Sequence, residues 1–131
     1  MVASLFAYNF DERVRDVLRK VRNSFAKDSN LPSQIIAIGH QGTGFVVAPG
    51  ESFVCIMLRE AVRDGHTIVG MVSNGRRKAD NARSIRVHMA SKTKNVMYEA
   101  DIITPNGYPL LAEFVLKEHP ADFRQFFKGS E

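Results

Sequence analysis

The chain has 131 residues, 44% of them hydrophobic and 24% charged, with a net charge of +4. These are values of one globular domain spanning 1–131, and they exclude a disordered chain. A single cysteine excludes an internal disulfide, and no apolar run approaches the ~20 residues of a membrane span. The first ten residues carry no cation and so lack the beginning of a secretory signal; the expectation is a cytoplasmic protein with no membrane association.

In chain order, Asp11 to Phe25 reads as a helix, because Val14, Val17, Leu18, Val21 and Phe25 recur at helical spacing. Its outer face holds Arg13, Arg15, Arg19, Lys20 and Arg22, partly offset by Glu12 and Asp16. Ile35 to Ile38 and Phe45 to Val47 read as strands joined by Gly39-His40-Gln41-Gly42-Thr43-Gly44. That link has the wrong glycine order for a dinucleotide fingerprint and no P-loop lysine, so a plain strand connection is expected.

Glu51 to Asp64 fits either a helix capped by Ser52 and stopped by Gly65, or the return strand of a hairpin turning at Pro49-Gly50. Arg59-Glu60-Ala61-Val62-Arg63 is poor strand material and favours the helix. Cys55 lies among Phe53, Val54, Ile56, Met57 and Leu58 and is expected to be buried. A strand from His66 to Ser73 is expected to turn at Asn74-Gly75.

In the next stretch Ile85, Val87 and Met89 alternate with Ser84, Arg86, His88 and Ala90. A hairpin turning at Lys92-Thr93 pairs Val87 with Tyr98, Met89 with Val96 and Ile85 with Ala100. The same register places Arg86 opposite Glu99 and Ser84 opposite Asp101. Leu110 to Leu116 reads as a third meander strand of unresolved register, and His119-Pro120 starts a short helix carrying Phe123, Phe126 and Phe127. The expected architecture is α+β, an antiparallel sheet of four to six strands with two or three helices packed on one face.

The functional signal is charge. Between residues 76 and 94 stand seven cations (Arg76, Arg77, Lys78, Arg83, Arg86, Lys92 and Lys94) against Asp80 alone, a local balance of +6. The remainder of the chain therefore sums to −2, and the basic band marks a polyanion-binding surface. Arg76 to Arg83 reads as a long polar loop. The band contains no aromatic residue, so no stacking platform for single-stranded bases is visible in it.

These residues point first to a non-catalytic, accessory or regulatory nucleic-acid-binding protein, with DNA and RNA both admitted. Arg76, Arg77, Lys78, Arg83, Lys92 and Lys94 contact phosphates, and Arg86 and His88 line the adjacent sheet. A second reading is a metal-independent nuclease or another phosphate-handling enzyme with His88 and His40 as proton carriers. A third is a homo-oligomer that sequesters a nucleotide-like anion or an acidic protein. Histidines 22 or more residues apart, with no cysteine pair, argue against a metal site, and no cofactor is expected.

Overall fold

The computed structural model describes residues 9–39, 42–118 and 120–128. Helix α1 (Asn9–Lys27) buries Phe10, Val14, Val17, Val21 and Phe25 along one stripe. Asp11 and Glu12 in its first turn and Lys27 in its last match the polarity of the helix dipole. Strands β1 (Gln34–Gly39) and β2 (Gly42–Val47) form the hairpin that the glycine-rich link requires, closed by the pair Gly39 and Gly42. Gly42 has a φ of 116°, which makes a glycine the natural residue there.

The ambiguous segment is a helix, α2 (Glu51–Arg63), stopped by Gly65 at a φ of 95°. Gly50, not Ser52, holds the N-cap position, and no side chain caps it. Leu58, Ala61 and Val62 turn to the sheet, while Cys55 is exposed, contrary to the expected burial. Angle alone does not account for it, since at about 100° per residue Cys55 lies only about 20° from the buried Val62; Cys55 sits about two turns nearer the start of α2, before the buried stretch from Leu58 to Val62. A thiol reagent is therefore expected to label native Cys55 stoichiometrically with the circular dichroism spectrum unchanged. Labelling that needs denaturant would contradict this placement.

Strand β3 (Ile68–Arg76) runs through Asn74 and Gly75 instead of turning there. Asn74 Nδ2 donates to the Leu31 carbonyl at 3.1 Å and its Oδ1 accepts from Arg83, so the side chain ties the strand to its neighbours. Pairing with β4 (Arg83–Ala90) continues to Arg76 opposite Arg83. The chain reverses within 77–82, where Arg77 N donates to Ala82 O, Asn81 N to Arg77 O, and Asn81 adopts a φ of 59°. The expected long basic loop is thus half ladder and half tight turn.

Strand β5 (Asn95–Ile103) pairs with β4 in the anticipated register, including Val87 with Tyr98, Arg86 with Glu99 and Ser84 with Asp101. The expected third strand is split. In β6 (Leu110–Leu111), Leu111 faces Ile102; in β7 (Val115–Leu116), Val115 faces Glu99. Four steps on this side match three on β5, so one extra residue bulges out and reverses the facing. Arg22 holds the bulge by donating to the carbonyls of Leu111 at 2.7 Å and Ala112 at 2.8 Å, with Phe114 beneath it. The chain ends its described course in α3 (Gln125–Lys128).

The protein is an α+β domain, with an antiparallel sheet ordered β2-β1-β3-β4-β5-β6 and β7 also paired with β5. Its helices occupy both faces of the sheet, not one. On one side α1 packs over Ile36, Ile38, Val72, Ile85, Val87 and Met89. On the other, α2 and α3 pack over Ile35 and Val69. Strands β1 and β3 are apolar at successive positions, as sheet positions covered on both faces must be.

Candidate nucleic-acid interface

The basic band does not form one patch. Strand β4 separates its parts: Arg76, Arg77, Lys78 and Arg83 lie at the β3–β4 turn, whereas Lys92 and Lys94 lie at the β4–β5 turn. The eight residues between the turns make the ends about 24 Å apart. Helix α1 packs across β4 and β5 on one side and carries Arg13, Arg15, Arg19 and Lys20 on its outer face. Lys94 lies 3.8 Å from Asp11 and over the Phe10 ring, which ties that hairpin tip to the start of α1.

Two cations of the band are held internally. Arg77 Nη1 donates to Asp101 at 2.6 Å and approaches Glu99 at 3.4 Å, while its Nη2 donates to Asp80 at 2.8 Å. The hydrogen bonds to Asp80 and Asp101 raise the Arg77 guanidinium above its ordinary pKa. In return Arg77, with the Ala82 amide, lowers Asp80 to about 2. Arg86 Nε donates to Glu99 at 2.9 Å.

Glu99 is the centre of this cluster, only 4% exposed on the sheet face away from α1. It also accepts from Ser84 Oγ at 2.7 Å and lies 3.6 Å from Lys117 Nζ. Burial alone pushes its carboxyl up, but the hydrogen bonds from Ser84 and Arg86 and the charges of Arg86 and Arg77 outweigh it and hold it at about 2.

His88 is buried on that same face, stacked on the Phe123 ring at 3.6 Å with the planes 8° apart. Asn95 Oδ1 accepts from the Phe123 amide and lies 2.9 Å from His88 Nε2, so the imidazole donates there. Burial lowers the His88 pKa, opposed by the bonds to Asn95 and Ala121. The residue therefore clamps the C-terminal segment to the sheet and does not line the surface expected of it. His40, the other candidate proton carrier, lies outside the described residues.

The exposed cations are Arg76, whose bond is to the Asn81 carbonyl, together with Lys78, Lys92 and Lys94. Arg83 is half-buried and bonded to the neutral Asn74, so its charge is not offset. On α1, Asp16 pairs with Arg19 and, at 3.2 Å, with Lys20. Arg22, expected on the outer face of the helix, is committed to the carbonyls of Leu111 and Ala112. Two groupings escaped the sequence reading, Arg77 with Asp101 and His88 with Phe123; only the Arg86–Glu99 register hinted at an internal ion cluster.

Among the described residues no group of three or more His, Cys, Asp or Glu is arranged to hold a metal ion. No described helix is long and apolar enough to cross a membrane. The chain matches no protein-family model, and comparison with curated proteins and with solved structures also finds no match.

Proposed function

We propose that the protein is a non-catalytic nucleic-acid-binding accessory or regulatory protein of the cytoplasm that grips the phosphate backbone along α1 and the two hairpin tips beside it. One observation carries this reading: α1 lies across β4, so the basic outer face of the helix bridges the two ends of the split band. Arg76, Lys78 and Arg83 serve one end, Lys92 and Lys94 the other, and Arg13, Arg15 and Arg19 the middle. A separation of about 24 Å corresponds to about seven base-pair steps of a duplex. Arg77 and Arg86 act indirectly, by fixing the turn and the hairpin that present the free cations. The contacts are to phosphates, so affinity depends strongly on salt and weakly on base sequence.

The test is binding of labelled single- and double-stranded DNA and RNA across a salt series. The Arg76→Ala/Lys78→Ala/Lys92→Ala variant removes three exposed charges and breaks none of the ion pairs described above. The expected result is a log K against log salt slope shallower by about 2–3 on a duplex. The control, Arg59→Ala/Arg63→Ala/Lys128→Ala, removes three cations of the α2 and α3 side and is expected to leave the slope unchanged. Equal slopes in the two variants, or no binding at low salt, would overturn the reading.

A further inference from the structure

Strand β2 is the end of the sheet, and among the described residues its outer edge pairs with nothing. Open edges of this kind are normally blunted by charge, proline or a bulge. Gly42–Val47 has no charged residue and no proline, and it pairs with β1 without a bulge through all six positions. Beside it runs a groove of about 520 Å³ between β2 and the flank of α2.

The groove has a graded lining. Val46 and Ile56, 53% and 58% exposed, make its apolar end. Glu60, Asp64 and His66 make its polar end, where His66 Nδ1 donates to the Ala61 carbonyl. No lysine or arginine lines it; Glu60 is paired with Arg63 at 2.9 Å, and Asp64 has no ion-pair partner among the described residues. Register explains the space. Gly44 and Val46 pair with Ala37 and Ile35, whose side chains face the α2 side, so Gly44 leaves the groove floor bare.

We propose that β2 and this groove take an extended peptide of another protein as an added antiparallel strand, with an apolar residue and a lysine or arginine at alternate positions. The backbone of the peptide satisfies the open edge, as in strand-addition recognition generally. Alternate side chains point to the α2 side at a spacing of about 7 Å. The apolar one fills the space over Gly44 beside Val46 and Ile56, and the cation two positions away meets Glu60 and Asp64. The two carboxylates, of which Glu60 alone already holds a cation in the exposed Arg63, select this charge and reject a carboxylate at the same position.

The probe is an acetylated and amidated heptapeptide with Val, Phe and Lys at alternate positions and Thr between them. Two relatives carry Glu in place of Lys, or Pro in place of the Thr between Phe and Lys. Amide-resolved NMR titration is expected to show saturable shifts in Gly42–Val47 with the Lys peptide. Binding should be at least tenfold weaker with the Glu peptide and lost with the Pro peptide.

Gly44→Leu fills the groove, and its Cβ meets only the Ala37 carbonyl oxygen at 3.8 Å, so the fold tolerates it; binding is expected to vanish. Glu60→Gln/Asp64→Asn is expected to erase the preference for Lys over Glu. No binding at millimolar peptide, equal binding of the three peptides, or binding retained by folded Gly44→Leu would overturn the proposal. So would dimerisation through β2 in sedimentation, which assigns the edge to a second copy.

Discussion

Gly70→Ala is expected to lower the stability of the fold by about 4 kcal/mol. Gly70 sits in β3 opposite Met89 of β4. A Cβ there would overlap the His88 carbonyl oxygen and lie 3.0 Å from both Cα and Cγ of Met89. The nearest of these atoms is backbone, so relief requires β4 to move as a unit. That strand carries Ile85, Val87 and Met89, all fully buried beneath α1. Overpacking of a dense core costs about 1–3 kcal/mol when side chains can adjust, and more when backbone must shift. A loss of about 4 kcal/mol consumes much of the ~5–15 kcal/mol that holds a domain of this size together. Urea denaturation measures it directly. Gly75→Ala, in the same strand with nothing within 4 Å of its Cβ, is the control and should shift the midpoint little. If the two variants denature alike, the packing of β3 on β4 is not as described.

Glu99 supplies the second large effect. Glu99→Gln keeps the shape but removes the charge that Arg86, Arg77 and Lys117 share. Arg86 and Lys117 are themselves about two-fifths exposed, so solvent screens part of the loss. The expected cost is about 2 kcal/mol, or about 7 °C in melting temperature for a chain of this length.

The pH dependence has a definite sign. The folded carboxyl is held at about 2, below its ordinary value of 4.5, so its contribution is fully present above pH 4.5 and fades as pH falls toward 2. Wild-type protein should therefore lose stability across that window more steeply than Glu99→Gln. Parallel pH profiles would show that Glu99 is not ionised and clasped as described.

Much of this fold was legible because some segments constrain themselves several times over. The stripe from Val14 to Phe25 has helical period and nothing to break it. The β4–β5 register follows from three apolar pairs and two polar pairs that all agree on one facing. Elsewhere a local signal competed with a distant one. Asn74-Gly75 carries a good turn signal, yet the Leu31 carbonyl, 43 residues away, holds Asn74 in a strand. The bulge between β6 and β7 depends on Arg22, which looked like one more surface cation.

The site was legible as charge and not as geometry. A count of cations between 76 and 94 cannot show that Arg77 folds back onto Asp101, because that contact exists only once β3, β4 and β5 are aligned. Likewise His88 reads as an outward position of an alternating strand. It becomes buried only when Phe123, 35 residues on, lies over it. The partition of helices between two faces was hidden for a related reason, since a strand covered on both sides loses the alternation that tells inside from outside.

The most direct test of the proposed nucleic-acid surface is a map of backbone amide shifts on adding a short duplex at low salt, repeated with single-stranded RNA and DNA. Perturbations are expected at 76–83, at 92–94 and along the outer positions of α1, all fading together as salt rises. Shifts confined to β2 and α2, or none at all, would contradict it.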